Sequence, residues 1–271
     1  MVFGLASCGG GSGKVSDKDI TVISREEGSG TRDAFTELTG VLQDDVDKTV
    51  DTAEISNSTS VVTQSVAGND AAIGYISLGS LDDTVKAVKV DGVEATVDNI
   101  KSGDYKIQRP FNIVTKGEVK ELPADFIKFI MSKDGQKIIE DEGYISVNDN
   151  AEAYKASGLK GSITLAGSTS VSPVMEVLAD KYKELNSGVT IEIQQTGSGA
   201  GIQSTTEGVC DIGMASRELK DEETSQGLKS EEIALDGIAV IVNKDNGVED
   251  LSMDQIMKIF TGEITNWADV K

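Results

Sequence analysis

The sequence predicts an α/β protein whose strands pair mostly in parallel. Short apolar runs typical of buried strands alternate with longer segments in which apolar residues recur at helical spacing. In three places a strand is followed by a turn rich in Ser, Thr and Gly and then by the start of a helix. This alternation indicates successive βαβ units, which place their strands side by side in a mostly parallel sheet.

The first of these turns has the composition of an anion-binding turn. Residues 25–32, Arg-Glu-Glu-Gly-Ser-Gly-Thr-Arg, lie between an apolar run at 20–23 and a helix-like segment. The first N–H groups of a helix have no partner within the helix and lie at the positive end of its dipole. Glycine, the hydroxyls of Ser29 and Thr31 and the fork of Arg25 therefore suit a tetrahedral oxyanion. Taken alone, the turn also fits ordinary capping of a helix by Thr31.

Two further turns favour the anion-binding interpretation. The strand at 189–193 leads into residues 194–202, Gln-Gln-Thr-Gly-Ser-Gly-Ala-Gly-Ile, and a helix. The strand at 162–165 leads into Ala-Gly-Ser-Thr-Ser at 166–170 and a helix whose apolar residues lie on one face. Ligands of open α/β sheets bind beyond the carboxyl ends of the strands. Three such turns together therefore predict an anion site.

The rest of the chain continues the alternation of strands and helices. Pro123 is expected at the first position of a helix, where its missing N–H costs nothing. Residues 148–161 are polar and small, and we expect them to form a linker. The other predicted elements are helices at 58–67, 133–142 and 253–260 and strands at 71–78, 85–90, 111–115 and 233–242.

Composition narrows the classes of function. The 271 residues suffice for one large domain or two lobes, and 38% apolar with 26% charged residues is typical of a globular protein. The formal net charge of −21 argues against nucleic acid or an anionic membrane as a partner. The absence of histidine excludes Ser-His-Asp and Cys-His catalysis and most zinc sites. We therefore expect no catalytic residues, no metal and no cofactor, and we expect Cys210 to be a small buried residue.

The first 18 residues differ from the rest of the sequence. Leu5-Ala-Ser-Cys8 matches the end of a bacterial lipoprotein signal, in which Cys8 would carry the lipid in a full precursor. A Gly/Ser tether follows, but the charged part and most of the apolar part of a signal peptide are missing. The stretch at 9–14 is not a phosphate loop, because Cys8 and Val15 stand where Gly and Ser/Thr are required. The sequence contains no run of 18 apolar residues, so no membrane-spanning helix is predicted.

Six segments of the chain share their motifs with one known family. They are residues 25–31, 72–77, 135–144, 165–174, 196–201 and 211–216. Together they resemble the extracytoplasmic phosphate-binding proteins of ABC phosphate importers. The resemblance implies a type II periplasmic-binding-protein fold, with two α/β lobes hinged by two crossing strands and inorganic phosphate in the cleft. It also implies a monomeric, non-catalytic protein, periplasmic or a cell-surface lipoprotein, that delivers phosphate to an ABC permease.

The order of these segments differs from the order in the family. In the family the segment at 165–174 begins the mature protein, and the segment at 25–31 follows the counterpart of residues 266–271. The chain therefore resembles a circular permutation, which could arise by design, by natural rearrangement or as one unit of a tandem protein. The Gly/Ser tether beside the remnant of a lipoprotein signal favours design. The permuted order predicts a tether at 1–18, lobe two at 19–112 and 246–271, and lobe one at 113–245. We expect Asp19 and Lys271 to lie close together on lobe two.

The resemblance also predicts phosphate-binding residues by motif. They are Thr169 and Ser170 from one turn, Ser198 from a second, and Arg25, Ser29, Gly30 and Thr31 from the opposite lobe. Alternatively, Arg25 is a surface arginine paired with Glu27; both interpretations can hold, because such a carboxylate would orient the guanidinium. The best-known members have an aspartate after the segment at 211–216, where this chain has Arg217. If Arg217 points into the cleft it holds phosphate by charge; if it points outward, Ser216 or backbone carbonyls must distinguish phosphate from sulfate.

Two other classes of function fit parts of the sequence. An enzyme or a sensor acting on another tetrahedral oxyanion, such as sulfate or a phosphorylated substrate, would use the same turns. The absence of histidine and of an acidic metal cluster near the turns counts against an enzyme. A structural protein with a vestigial site is disfavoured because Arg25 is present together with all three turns.

Overall fold

The computed structural model describes residues 15–270, in which strands and helices alternate. The strands are β1 (Thr21–Arg25), β2 (Leu42–Gln43), β3 (Val46–Asp47), β4 (Glu54–Ser56), β5 (Ala72–Ser77), β6 (Val85–Ala87), β7 (Lys89–Val90), β8 (Gln108–Lys116), β9 (Ile145–Ser146), β10 (Gly161–Gly167), β11 (Val189–Gln195), β12 (Ile212–Ala215), β13 (Leu228–Asn243) and β14 (Asp250–Leu251). The α-helices are α1 (Gly30–Thr39), α2 (Thr59–Gly68), α3 (Val97–Lys101), α4 (Glu121–Ile130), α5 (Lys133–Asp141), α6 (Ser172–Leu185), α7 (Ser198–Glu207), α8 (Asp221–Thr224) and α9 (Met253–Phe260).

Ten of the described strands form one continuous sheet. Its main path runs β11-β10-β12-β8-β13-β5-β1-β4, and β6 and β9 also pair with β13. Toward one end β10 pairs in parallel with β11 and β12, and toward the other β1 pairs in parallel with β4 and β5. In the middle β8 and β13 run antiparallel to their neighbours. The predicted α/β fold with two connecting strands is confirmed.

Two large hydrophobic cores divide the protein into two lobes. We call lobe two the half whose core gathers residues of α1, α3 and α9, such as Phe35. Lobe one is the half whose core gathers residues of α4, α5 and α6, such as Tyr182. On the opposite faces of the sheet, α2 packs through Val62 in lobe two and α7 through Ile202 in lobe one. Each lobe is therefore a sheet covered by helices on both faces, as parallel strands require.

Strand β13 belongs to both lobes. Its residues 228–237 pair with β8, and its residues 238–243 pair with β5 and β6. Ala234 packs in the core of lobe one, whereas Ile238 packs in the core of lobe two. The core thus changes within β13, upstream of residue 245, where the sequence placed the boundary between lobes.

A buried ion pair lies where the two connecting strands run side by side. Arg109 on β8 and Asp236 on β13 are 2% and 1% exposed, and Nη2 of Arg109 lies 3.1 Å from Oδ2 of Asp236. The hydroxyl of Ser77 donates to Oδ1 of Asp236 at 2.9 Å. Burial raises the pKa of Asp236 to about 6, although the Arg109 charge opposes the shift. Because a buried charge without its partner is costly, the pair holds β8 and β13 in register.

Three local expectations are corrected by the structure. Helix α4 begins two residues before Pro123, which is tolerated there because first-turn N–H groups have no helical partner. Ser29 caps α1 instead of Thr31, its hydroxyl accepting a first-turn N–H at 3.4 Å. The strand expected at 85–90 is split into β6 and β7, because Val88 donates to a carbonyl of β13 whereas Lys89 donates to the segment before β14.

The predicted linker is irregular but is fastened to lobe one. No helix or strand lies between β9 and β10. A carboxylate oxygen of Asp125 on α4 accepts hydrogen bonds from Tyr154 at 2.5 Å, Ser157 at 2.7 Å and Tyr182 at 2.7 Å. Two of these hydroxyls belong to the linker, so Asp125 holds it against α4 and α6. These hydrogen bonds lower the pKa of Asp125, although burial opposes the shift.

The segments near the two ends of the described chain lie together on lobe two. Asp19 and Asn266 form an antiparallel bridge, and the N–H of Ile20 donates to the carbonyl of Thr265 at 2.8 Å. Lys271 lies outside the described residues, so its closeness to Asp19 stays a prediction. Cys8, the rejected phosphate loop and the tether up to residue 14 also lie outside them. The last residues of the predicted tether are not loose: Val15–Asp17 form a 3-10 helix, Val15 packs against the core of lobe two and Lys18 pairs with Asp70.

Two smaller expectations can be followed in the described part of the chain. Cys210 is buried, as expected, and its Sγ lies 3.3 Å from the hydroxyl of Thr205. Among residues 15–270, none of the helices has the length and apolar character needed to cross a bilayer.

Candidate functional site

The carboxyl ends of four described parallel strands face one another across the cleft between the lobes. In lobe two β1 and β4 lead into α1 and α2, and in lobe one β10 and β11 lead into α6 and α7. A helix N-terminus carries a partial positive charge and unpaired N–H groups. The fold therefore directs the starts of four helices, and the polar turns before them, toward a common region.

Arg25 is the charged residue of this region and is only 2% exposed. Its Nε and Nη2 each lie 2.8 Å from a carboxylate oxygen of Glu26, and Nε also donates to the carbonyl of Ser56 at 3.2 Å. Across the cleft, Nη2 donates to the hydroxyl of Thr169 at 3.1 Å. Glu26, and not the expected Glu27, is thus the carboxylate that orients the guanidinium.

Four hydroxyls from both lobes form a cluster beside Arg25. Thr31 Oγ1 lies 3.0 Å from Ser170 Oγ, and Thr59 Oγ1 lies 3.1 Å from Ser170 Oγ and 3.3 Å from Thr169 Oγ1. All four side chains are at most 5% exposed. A hydroxyl can donate or accept as its surroundings require. We call Arg25, Thr31, Thr59, Thr169 and Ser170 the anion cluster.

Thr59 is a member that the sequence interpretation missed. It begins α2 directly after β4, and its Oγ1 also lies 3.5 Å from Nη1 of Arg25. The signal was present, because residues 56–60, Ser-Asn-Ser-Thr-Ser, form a hydroxyl-rich turn before the predicted helix. That turn contains no glycine, and β4 is too short to stand out as a strand. A fourth strand–turn–helix unit therefore contributes to the site.

A second polar group lies next to the anion cluster. The hydroxyl of Ser198, at the start of α7, accepts the N–H of Ser216 at 3.1 Å, and Ser168 Oγ donates to Ser216 Oγ at 3.0 Å. Gly30 faces this group so closely that a Cβ placed on it would lie 2.4 Å from Ser198 Oγ and 2.8 Å from Ser216 Oγ. A side chain at residue 30 would therefore displace the Ser198 and Ser216 hydroxyls where α1 meets lobe one.

Backbone contact also joins the lobes at this point. The N–H of Gly199 donates to the carbonyl of Gly28 at 2.9 Å. Gly28 has a φ of +81°, a left-handed conformation that favours glycine. The lobes are thus closed on one another around the two polar groups.

The structure brings most of the predicted site residues together. Arg25, Thr31, Thr169 and Ser170 are in the anion cluster, and Gly30 and Ser198 are beside it with the further candidate Ser216. Ser29 is buried, and its hydroxyl is used in capping α1.

Arg217, the other further candidate, is held by carboxylates. Its Nη1 and Nη2 each lie 2.8 Å from an oxygen of Glu223, Nη1 also donates to the carbonyl of Glu218 at 2.8 Å, and Nε lies 2.9 Å from Oδ2 of Asp33. Burial opposes its charge, but the interactions with Glu223 and Asp33 raise its pKa above the ordinary value. The guanidinium is therefore held by hydrogen bonds to Glu223 and Glu218 and by an ion pair with Asp33, and it points away from the hydroxyls.

Aromatic packing supports the end of β1. The rings of Phe35 and Tyr75 stack with centroids 3.9 Å apart. The Tyr75 hydroxyl lies 2.8 Å from Ser24 Oγ and accepts the N–H of Arg25 at 3.3 Å. Burial raises the pKa of Tyr75 to about 12, so this hydroxyl stays protonated. The packing fixes the backbone from which Arg25 projects.

A cavity of about 570 Å³ opens beside the anion cluster. Thr59 and Thr169 line both the cavity and the cluster. The other lining residues are mostly small and polar and are Ser58, Ser60, Thr63, Gln64, Gly79, Ser80, Asp82, Thr84, Pro173 and Gln195. The cluster is therefore adjacent to space that water and small ions can reach.

The site is rich in hydrogen-bond donors: the anion cluster contains the buried guanidinium of Arg25, and the buried guanidinium of Arg109 donates to the carbonyl of Ser216 at 3.3 Å. Hydroxyls, helix N-termini and an arginine are the groups that bind phosphate-like anions in proteins. Within residues 15–270, no group of three or more His, Cys, Asp or Glu side chains is placed to hold a metal ion.

Comparison with known proteins gives the family. The PBP superfamily domain matches residues 12–134 and 152–271. The phosphate-binding protein PstS 2 of Streptococcus agalactiae is 53% identical over 272 residues, covering 98% of this chain and 92% of that protein. The chain belongs to the phosphate-binding proteins of the PBP superfamily.

Two further relatives differ in how much of their length aligns with this chain. The crystal structure of a phosphate ABC transporter, phosphate-binding protein from Streptococcus pneumoniae, is 49% identical, with a TM-score of 0.76, and the match covers 94% of this chain and all of that one. The phosphate-binding protein PstS of Bacillus subtilis is 38% identical over 127 residues, 46% of this chain and 42% of that protein. The streptococcal relatives thus match from end to end, whereas the Bacillus protein matches in one part.

Proposed function

We propose that this protein is a non-catalytic solute-binding protein that captures inorganic phosphate between its lobes for an ABC importer. The observation that carries the proposal is the 3.1 Å hydrogen bond from Arg25 of lobe two to Thr169 of lobe one. It places one buried cation and hydroxyls of both lobes around the same point. The names of relatives that match end to end, a phosphate-binding protein and a phosphate ABC transporter protein, support the same ligand.

Each site residue has a role in this proposal. Arg25, oriented by Glu26, supplies the charge, and the hydroxyls of Thr31, Thr59, Thr169, Ser170 and Ser198 donate to phosphate oxygens together with N–H groups of Gly30 and Ser170. Ser29 shapes the first turn of α1, and Gly30 allows the lobes to close. Because Arg217 is engaged by Glu223 and Asp33, Ser216 or a backbone carbonyl is the better candidate to accept the proton of the phosphate.

The proposal is tested by calorimetric titration of the protein with phosphate, sulfate and arsenate. Removing a buried charged partner costs about 2–5 kcal/mol, so Arg25→Ala should weaken phosphate binding about 30-fold or more. Lys101→Ala, at an exposed cation of lobe two, is the matched control and should bind as the parent does. Affinity of Arg25→Ala within a few-fold of the parent would remove Arg25 from the site. Binding of sulfate or a phosphorylated compound without binding of phosphate would favour the alternative, a sensor or enzyme for another oxyanion.

We further propose that the protein works outside the cytoplasm, as a monomer that passes phosphate to an ABC permease. The name of the Streptococcus pneumoniae relative supports the transporter. The net charge of −21 supports a partner other than nucleic acid. Lipid attachment at Cys8 belongs to the same proposal, and labelling of expressed full precursor with a radioactive fatty acid tests it.

We also propose that the chain is a natural circular permutation of the order found in other members of the family. The end-to-end match to a Streptococcus agalactiae protein supports a natural order. A match to less than half of the Bacillus subtilis protein is what a permuted order predicts, because only one segment then stays collinear. The proposal includes the division expected from the sequence, with lobe one continuous at 113–245 and lobe two split between 19–112 and 246–271, except that the last part of β13 packs in the core of lobe two.

A further inference from the structure

An ion pair joins the lobes directly beside the proposed phosphate site. Asp33 lies in the first turn of α1 in lobe two, two residues after Thr31 of the anion cluster. Arg217 lies in lobe one, directly after Ser216. Nε of Arg217 and Oδ2 of Asp33 are 2.9 Å apart, so the two halves of the site are tied immediately next to the residues that form it.

The two partners of this pair are held very differently within their own lobes. Arg217 is 8% exposed and keeps a two-pronged contact with Glu223, both distances being 2.8 Å. Oδ2 of Asp33 is buried and has no hydrogen bond, because the short contact with Arg217 is not aligned as one. Lys220, also of lobe one, lies 3.5 Å from the same oxygen. Both cations paired with the Asp33 carboxylate among the described residues thus belong to the opposite lobe.

This asymmetry makes the contact reversible. When the lobes separate, Arg217 retains Glu223 as its partner, and Asp33 regains water. When they close, Asp33 loses water and is attracted by Arg217 and Lys220, both of lobe one. A partly buried pair of this kind is screened less than a surface pair but still responds to salt.

We propose that Asp33 and Arg217 are positioning residues that hold the two halves of the site in register and thereby set the rate of phosphate release. The inference rests on the proposed phosphate binding. Neither side chain contacts the hydroxyls of the anion cluster; Asp33 acts through α1, whose first turn carries Gly30 and Thr31, and Arg217 acts through Ser216.

The test compares association and dissociation rates of phosphate, measured by stopped flow, for the parent and for Asp33→Asn. Loss of the pair should raise the dissociation rate about tenfold and leave the association rate nearly unchanged, because contacts formed after encounter act mainly on dissociation. Glu37→Gln removes an exposed carboxylate from the same helix and is the matched control. Asp33→Glu should restore slow dissociation in part, and Lys220→Met should have a smaller effect, since Lys220 is more exposed.

Salt and a second variant separate the outcomes. Raising the ionic strength should speed dissociation from the parent more than from Asp33→Asn, because only the parent has the pair to screen. Arg217→Gln should give the same dissociation rate as the Asp33→Asn variant, and the double variant should be no worse than either. If the parent binds phosphate and Asp33→Asn and Arg217→Gln both release it at the parental rate, this inference is wrong and the proposed function stands. If the parent binds no phosphate, the proposed function itself fails.

Discussion

Replacing Thr59 by valine tests whether the residue that the sequence interpretation missed belongs to the site. Valine has nearly the shape of threonine but lacks the hydroxyl. In the structure that hydroxyl lies 3.1 Å from Ser170 Oγ, 3.3 Å from Thr169 Oγ1 and 3.5 Å from Nη1 of Arg25. Each of these neighbours keeps another partner, because Ser170 contacts Thr31 and Thr169 contacts Arg25. The variant should therefore fold normally.

The expected loss follows from the kind of hydrogen bond removed. A hydrogen bond to a charged group contributes about 1.5–3 kcal/mol, against about 0.5–1.5 kcal/mol for a neutral one. If Thr59 donates to the phosphate dianion, Thr59→Val should weaken binding about 10- to 150-fold. If Thr59 only contacts other hydroxyls, the loss should stay within about tenfold.

Thr63→Val is the matched control for this experiment. Thr63 lies one turn further along α2 and also lines the cavity, but its hydroxyl donates to the carbonyl of Thr59. Calorimetric titration of both variants with phosphate, together with their thermal unfolding, separates binding from stability. Equal affinities for Thr59→Val and Thr63→Val would refute the place of Thr59 in the site.

Two further substitutions give sharp outcomes. Gly30→Ala should weaken phosphate binding about tenfold or more, because its Cβ would lie 2.4 Å from Ser198 Oγ. Gly68→Ala, whose Cβ would meet nothing within 4 Å, should leave binding unchanged. Titration of both variants with phosphate checks this. Glu223 has its pKa held below 4.5, because the hydrogen bonds from Arg217 and Lys220 outweigh burial. A lowered folded-state pKa gives stability that is complete above the unfolded value and is lost as the pH falls through the folded one. The difference in the free energy of unfolding between the parent and Glu223→Gln should thus shrink below about pH 4.5, and a constant difference in denaturant titrations would contradict the ion pair.

The elements that sequence predicted best are those with strong local signals. The helix predicted at 253–260 has the same bounds in the structure, where Ser252 and Gln255 form a capping box before an apolar face. Strand β13 was predicted only from residue 233, since residues 229–232 are polar. They continue the strand because β8 offers backbone partners to residues 228–232, before a bulge at Ile233, which no local pattern reveals.

The same distinction applies to the site. Arg25 and the glycine turns could be found because a close approach of backbone to an anion requires particular residues in a short stretch. The direction in which Arg217 points could not be predicted from the sequence. It depends on Glu223 in its own lobe and on Asp33, which is far away in the sequence. The choice of Glu26 over Glu27 as the partner of Arg25 depends likewise on how the turn after β1 is bent, with its Gly28 in a left-handed conformation.

The position of strand β13 affects how the protein unfolds. Strand β13 lies in the middle of the continuous sheet, with Ala234 in one core and Ile238 in the other. Neither lobe therefore has its full set of paired strands without it. Unfolding of one lobe exposes the backbone hydrogen-bonding groups and the apolar face of the other. An isolated lobe would therefore have an incomplete sheet where β13 lies. Although the candidate site lies between two lobes, we therefore expect both lobes to unfold together as one cooperative unit.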